Sequence, residues 1–179
     1  VLICIPLSFY YSFANVFLND LGMEGAAGKM IYGQISEAIF ILAIPFLYYR
    51  LGVKNILIIG IAAWALRFFF FANGDLEAYY WMIISGILLH GICYDFFFVT
   101  GYMYTENKAG EKIKNAAQGL FTVATYGIGM TIGSWFSGII TDSNTIEGIK
   151  NWGDIWMVPA YISGAVLLFL VVFFKEKNK

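Results

Sequence analysis

The sequence predicts an all-α, polytopic membrane protein with six transmembrane helices. Hydrophobic residues make up 60% of the 179 residues and charged residues only 13%, with a mean hydropathy of +0.71. A soluble domain has about 25% charged residues. The apolar residues fall in six stretches, each close to the roughly 20 residues that a helix needs to cross the bilayer. The net charge of -1 points neither to a nucleic-acid partner nor to an anionic surface, and the apolar stretches indicate the lipid bilayer as the surroundings.

The boundaries of the spans follow from the polar residues between them. We place the spans at about 1–21, 28–49, 55–74, 79–101, 115–141 and 153–174. The connections at 22–27, 75–78, 106–114 and 142–152 hold Gly, Asp and Asn, which commonly end helices. The chain begins directly in an apolar stretch without a charged leader, so we expect a fragment that starts at a span.

The basic residues predict the orientation, because Lys and Arg accumulate on the cytoplasmic side of a membrane protein. Only Lys29 and Lys150 lie on one face, and Arg67 lies inside the third span. The other eight of the eleven basic residues share the opposite face: Arg50, Lys54, Lys108, Lys112, Lys114, Lys175, Lys177 and Lys179. Both termini are therefore predicted to be cytoplasmic.

Two acidic residues, Glu37 and Asp95, lie inside apolar spans. An ionised carboxylate at mid-membrane costs about 3 kcal/mol on insertion scales, so it indicates a function or a partner. Gln34 stands three residues before Glu37 on the same helix face, and together they suit a neutral polar solute. The Glu37 carboxylate can also carry a proton. The alternative is a buried ion pair with Arg67, which the sequence places at a similar depth.

The fourth span carries His90, Tyr94 and Asp95. His90 and Tyr94 are four residues apart and share a helix face, whereas Asp95 is turned about 100° from Tyr94. Beside a tyrosine and an intramembrane acid, His90 indicates a solute or proton site, although a lone histidine is more often structural. Asp95 lies nearer the cytoplasmic side and suits a proton exit or a gate. The alternative for Asp95 is an ion pair or cap with basic residues of the inner loops.

Polar side chains also form a stripe along the first span. Ser8, Ser12, Asn15 and Asn19 recur at intervals of three or four residues. The stripe predicts a helix face turned toward protein or water. Hydrogen bonds between helices, each contributing about 0.6 kcal/mol, would explain the serines equally well. For Asn15 we favour contact with a ligand.

The fifth span is rich in glycine. Gly129 and Gly133 form a small-xxx-small pair, which predicts close approach of another helix. The glycine density also suggests a helix that bends or slides. Thr122 and Tyr126 are four residues apart and face a cavity if that helix lines one.

The sequence shows no enzyme signature. The motifs Gly-x-Ser-x-Gly, His-Glu-x-x-His and Gly-x-x-x-x-Gly-Lys-Ser/Thr are absent, and a single histidine cannot build a metal cluster. We therefore expect neither catalysis nor a cofactor.

Several runs of residues resemble nucleoside:proton symporters, the bacterial nucleoside permeases of the major facilitator superfamily. The resemblance covers nearly the whole chain and matches the C-terminal half of such a permease. The runs that carry it are Gly33-Gln34-Ile35-Ser36-Glu37, Tyr49-Arg50-Leu51-Gly52-Val53-Lys54, Ala63-Trp64-Ala65-Leu66-Arg67-Phe68, Gly91-Ile92-Cys93-Tyr94-Asp95-Phe96-Phe97-Phe98 and Ala117-Gln118-Gly119-Leu120.

The resemblance implies a fold of two six-helix bundles with a central site and alternating access, of which this chain is one half. The missing N-terminal half, the bilayer and a nucleoside are the implied partners, the proton is the co-transported ion, and the location is the bacterial inner membrane. The implied substrate-binding residues are Asn15, Gln34, Glu37, His90 and Tyr94. Asp95, together with Glu37, would couple proton movement to transport.

Two other functions remain open on the sequence. A different facilitator, for example one that moves sugars, would share the fold and differ in its solute. A structural membrane subunit would use the same polar groups only to hold helices together.

Overall fold

The computed structural model describes residues 1–174, and within them the chain is built almost entirely from helices. The helices are α1 (Cys4–Asp20), α2 (Ala26–Asn73), α3 (Tyr80–Ala109), α4 (Lys114–Ser143) and α5 (Trp152–Phe173). Between α4 and α5 lies an antiparallel hairpin of β1 (Thr145–Ile146) and β2 (Ile149–Lys150). The predicted basic tail, Lys175, Lys177 and Lys179, lies outside the described residues.

Helix α2 is two helical segments joined at Gly52. Its 48 residues would extend about 72 Å as one straight helix, more than twice the thickness of the hydrocarbon. Gly52 has φ 75° and ψ 160°, a backbone conformation that glycine adopts readily and that interrupts the helix. Two segments, 26–51 and 53–73, result, and each has about the length of one span.

Four helices of the described chain, α2 to α5, are long and apolar enough to cross a membrane. Helix α1 has 17 residues, slightly fewer than the roughly 20 that a helix needs to cross the bilayer. Helix α3 continues to Ala109, beyond the predicted span end at 101, because polar residues can extend a helix outside the hydrocarbon. The number of membrane crossings stays a prediction.

The core lies where α1, the second segment of α2 and α5 meet. The Trp156 ring of α5 is fully buried, stacks on Phe68 at 5.7 Å between ring centroids, and lies 5.4 Å from Phe17 of α1. Polar contacts join the ends of these elements, where Asp20 accepts hydrogen bonds from Lys150 at 3.1 Å and from the Trp152 indole at 3.3 Å. Arg67 directly precedes the buried Phe68 in the sequence, so packing of the aromatic core also positions Arg67.

Helix α3 packs against both segments of α2. The Ser36 hydroxyl donates to the Leu88 carbonyl at 2.6 Å, and the buried Trp64 indole N–H donates to the Cys93 carbonyl at 2.9 Å. Helix α3 therefore brings its middle turns close to residues from both halves of α2.

Helix α4 packs against α1 through the predicted glycine pair. A Cβ added at Gly129 would lie 2.8 Å from the Cys4 Cβ, and one at Gly133 would lie 2.9 Å from the Ser8 Cβ. The close helix approach predicted for these glycines is confirmed. Residues Val123–Gly129, which end at the first of these two glycines, form a π-helical turn, an irregularity that commonly marks functional regions of helices.

Candidate functional site

A line of three side chains, Arg67, His90 and Glu37, joins α2 to α3. The Arg67 Nη1 lies 2.9 Å from the His90 Nδ1, and the His90 Nε2 lies 3.5 Å from the Glu37 Oε2. Arg67 and His90 are buried, whereas the Glu37 side chain is 27% exposed. The line therefore runs from a buried guanidinium to a carboxylate that solvent or a solute can reach.

The direct ion pair between Glu37 and Arg67 is not what the structure shows in residues 1–174. His90 stands between the two groups and contacts both. Residue counting along the spans predicts matching depths for Glu37 and Arg67, but their lateral separation depends on how α3 packs against the two segments of α2. The imidazole ring therefore separates the two charged groups.

Tyr10 of α1 covers this line from one side. The Arg67 guanidinium carbon lies 3.6 Å from the centre of the Tyr10 ring, which is cation–π geometry, and the same ring stacks against His90 at 5.1 Å. Phe71 adds a second ring 5.5 Å from the guanidinium. The arginine is thus held against aromatic faces.

Small residues at the crossing of α2 and α3 permit this arrangement. A Cβ on Gly91 would lie 2.6 Å from the Glu37 backbone nitrogen, and a Cβ on Gly33 would lie 3.2 Å from the His90 Cβ. The helices can cross this closely because Gly33, Ser36 and Gly91 have small side chains or none. The crossing places His90 beside Glu37.

Tyr94 connects the neighbourhood of His90 to α4. Its hydroxyl is hydrogen-bonded to the hydroxyl of Tyr126, and its ring lies 5.6 Å from the His90 ring. Tyr94 and Tyr126 are both half-buried. The predicted proximity of His90 and Tyr94 is therefore present, and a face of aromatic and hydroxyl groups extends from α3 to α4.

Asp95 is fully buried and stands at the start of a π-helical turn, Asp95–Val99. Neither carboxylate oxygen has a hydrogen-bond partner within residues 1–174. The alternative of an ion pair with an inner-loop lysine or arginine is not observed in that part of the chain. A buried carboxylate without a hydrogen-bond partner is costly in free energy, which indicates that Asp95 either has a function or carries a proton.

Asn15 and Gln34 lie on the exposed side of the bundle. The Asn15 amide lies 3.7 Å from the Met30 sulfur and receives a 3.0 Å hydrogen bond from Asn19 on its side-chain oxygen. Gln34 makes no hydrogen bond within the described residues. Neither residue forms a hydrogen bond with His90 or Glu37 within residues 1–174.

The serine end of the α1 stripe has a structural role. Ser8 is fully buried, donates to the Cys4 carbonyl at 2.9 Å and contacts Met130 of α4, whereas Ser12 is exposed. Ser8 therefore forms the hydrogen bonds between helices that were one of the two explanations for the stripe, while the other members of the stripe face outward.

Sequence reasoning missed the roles of Tyr10 and Gly91. Tyr10 lies in an aromatic pair with Tyr11, and sequence alone does not show which ring points inward. The signal for Gly91 was its position next to His90, facing Gly33 and Ser36 at helical spacing on α2. A small residue opposite small residues indicates a close crossing once the pairing of helices is known.

A comparison with protein-family models decides the family. The model described as "Nucleoside H+ symporter" matches residues 1–179, the whole chain. The chain belongs to the nucleoside H+ symporter family. Members of this family are transporters.

Three relatives from Escherichia coli (strain K12) are similar over almost the whole chain. The putative nucleoside transporter YegT is 37% identical over 99% of this chain, the nucleoside permease NupG is 33% identical over 96%, and a xanthosine permease is 36% identical over 90%. The matches cover 44%, 42% and 41% of those proteins, so the chain spans less than half their length.

Solved structures show the same fold. The crystal structure of the nucleoside transporter NupG matches 98% of this chain with a TM-score of 0.87 and 31% sequence identity. A mutant of NupG matches 97% with a TM-score of 0.90 and 30% identity. The match covers 46% to 47% of those chains. The predicted all-α polytopic membrane fold is confirmed.

Proposed function

We propose that the protein containing this chain imports nucleosides by proton symport, with alternating access to a central site. The chain would supply the C-terminal six-helix half of a major facilitator fold. The observation that carries the proposal is the line from buried Arg67 through His90 to the partly exposed Glu37, in a chain that matches the symporter family over its full length.

The solute would bind on the exposed side of this line. The Glu37 carboxylate accepts hydrogen bonds from hydroxyl groups, and Gln34, one turn earlier, offers both a donor and an acceptor. Ribose carries hydroxyls that suit these two groups. Tyr94 provides an aromatic surface on which a base can stack, and Asn15 provides a further amide. His90 would hold the Glu37 carboxylate in place.

Protons would drive accumulation through Asp95 and Glu37. Asp95 is buried without a hydrogen-bond partner in the described chain, a surrounding that favours binding and release of a proton as the site changes exposure. A membrane potential of 100 mV supplies about 2.3 kcal/mol per charge, which corresponds to roughly fiftyfold accumulation. One proton per solute would thus sustain substantial uptake.

The chain would complete its site with an N-terminal six-helix half. The exposed Asn15 and Gln34 and the partly exposed Glu37 would face that half across the cavity. The basic connections predict cytoplasmic termini and six crossings, in the inner membrane of a bacterium. The incomplete coverage of the relatives supports this division.

Uptake of radiolabelled nucleosides tests the proposal. The intact protein is produced in cells that lack their own nucleoside uptake, and accumulation of uridine and adenosine is measured with and without a protonophore. We expect accumulation that the protonophore abolishes. Inhibition by sugars rather than by nucleosides would instead indicate another facilitator, and no solute-dependent uptake or stabilisation would indicate a structural subunit.

Two carboxylate variants separate binding from coupling. We expect Glu37→Gln to weaken nucleoside binding and Asp95→Asn to abolish proton-driven accumulation while nucleoside exchange continues. The matched control is Glu111→Gln, because Glu111 is an 89% exposed carboxylate that pairs with Lys114 far from the line. Undiminished proton-driven uptake in both Glu37→Gln and Asp95→Asn would refute the mechanism.

A further inference from the structure

We propose that Arg67 is a positioning residue that acts on the solute site through His90. Its guanidinium holds His90 as the neutral tautomer with the proton on Nε2, and His90 in turn presents a fixed donor to Glu37. This inference rests on the proposed function for its transport readout, and it assigns a role to an arginine that does not itself touch the solute.

The tautomer follows from the donors and acceptors along the line. Arginine is always protonated and has only donors, so the His90 Nδ1, 2.9 Å from Arg67 Nη1, must accept the hydrogen bond. An imidazole whose Nδ1 accepts carries its proton on Nε2. A cationic imidazolium would turn an N–H toward an N–H at this distance. The Arg67 contact therefore selects one neutral form.

The donor that results points at Glu37. The His90 Nε2 lies 3.5 Å from Glu37 Oε2, longer than an ordinary hydrogen bond, and we expect the partly exposed carboxylate to close this distance when a solute binds. Engagement of Oε2 leaves Oε1 to accept hydrogen bonds from a solute hydroxyl. The chemical class that fits is a neutral solute with adjacent hydroxyl groups.

Arg67 is itself held in a defined orientation. It is fully buried and lies 3.6 Å from the Tyr10 ring centre, and no carboxylate of residues 1–174 forms an ion pair with it. Its Nε and Nη2 make no hydrogen bonds within those residues, whereas its Nη1 lies 2.9 Å from the His90 Nδ1. The Glu37 carboxylate lies on the far side of the imidazole from this guanidinium.

The test compares three variants of the intact protein by nucleoside binding and uptake. Arg67→Met keeps an unbranched side chain and removes the donor, and His90→Phe keeps a ring and removes both ring nitrogens. His90→Gln retains an acceptor for Arg67 and a donor for Glu37. We expect the Kd for uridine to rise about tenfold in Arg67→Met and His90→Phe and about threefold in His90→Gln.

A matched control removes an arginine elsewhere. Arg50→Met makes the same change at an exposed residue next to the Gly52 interruption, and we expect its Kd to equal that of the wild type. Equal affinity of Arg67→Met and wild type would overturn the proposal. So would a greater loss in His90→Gln than in His90→Phe, because a role in hydrogen bonding predicts the opposite order.

A spectroscopic readout separates positioning from packing. Nitrogen-15 NMR of histidine-labelled protein, with His90 assigned from its loss in His90→Gln, should show a neutral ring protonated at Nε2, and Arg67→Met should lose this preference. A cationic ring or an Nδ1–H tautomer in the wild type would overturn the inference even if Arg67→Met fails to fold. Absence of nucleoside binding by the wild type, with the expected tautomer present, would instead reject the proposed function.

Discussion

Replacement of Gly91 by alanine should disrupt the crossing of α2 and α3. A Cβ at this position would lie 2.5 Å from the Ser36 carbonyl carbon and 2.6 Å from the Glu37 nitrogen, both backbone atoms. Ordinary van der Waals contact begins at 3.4 Å, so the helices must separate by nearly 1 Å. Overpacking of this kind costs typically 1–3 kcal/mol, and a cost of about 2 kcal/mol lowers the Tm of a unit of this size by about 4–8 °C.

The same separation should weaken the solute site. The distance between the His90 Nε2 and the Glu37 Oε2, now 3.5 Å, would exceed 4 Å if α3 moved by about 1 Å along the line of contact, which is too long for a hydrogen bond. We therefore expect Gly91→Ala to lower both the Tm and the affinity for uridine. Thermal unfolding in detergent, with and without uridine, measures both effects on the intact protein.

The matched control is Gly138→Ala on α4. No atom lies within 4 Å of a Cβ added at Gly138, and alanine favours a helix by about 1 kcal/mol over glycine. We expect an unchanged or higher Tm and unchanged affinity for uridine. If Gly91→Ala is as stable as Gly138→Ala and binds uridine as the wild type does, the close crossing does not position His90 and the reasoning fails.

Two further predictions concern contacts at the edges of the site. The hydroxyls of Tyr94 and Tyr126 are hydrogen-bonded to each other, so Tyr94→Phe and Tyr126→Phe should lower the free energy of unfolding by similar amounts. The double variant should lose about 1 kcal/mol less than the sum of the two single variants. Additive losses would exclude coupling between the two hydroxyls. Asp20→Asn should lower stability by less than about 1 kcal/mol, since Asp20 and Lys150 form a solvent-exposed pair at 3.1 Å. A larger loss of Tm in Asp20→Asn than in Gly91→Ala would contradict this ranking.

The fold could be predicted from sequence because the bilayer imposes a simple physical rule. A backbone in hydrocarbon must satisfy its hydrogen bonds internally, so long apolar stretches become helices. The polar residues that end those stretches then mark the boundaries. Helix α3 continues past the predicted span end at 101 to Ala109, because hydropathy detects the membrane and not the end of the helix.

The candidate site could be predicted only in part. Intramembrane charge singled out Glu37, Asp95 and Arg67, and spacing placed His90 and Tyr94 on one face. The partner of Arg67 could not be predicted from the sequence, because depth along the membrane normal does not give the lateral position of a helix. The sequence supplied both charged ends of the line and left open the group between them.

The sequence by itself determined the helical membrane architecture, the family and the set of polar residues buried among apolar ones. These properties depend on local composition, helical period and the cost of placing charge in lipid. Only the tertiary structure decided that His90 separates Arg67 from Glu37, that Tyr10 covers the guanidinium and that Asp95 lies enclosed while Asn15 and Gln34 remain exposed. These relations depend on which helices cross and how closely. The crossings are determined by contacts between residues that are far apart in the sequence, such as Gly91 and Ser36.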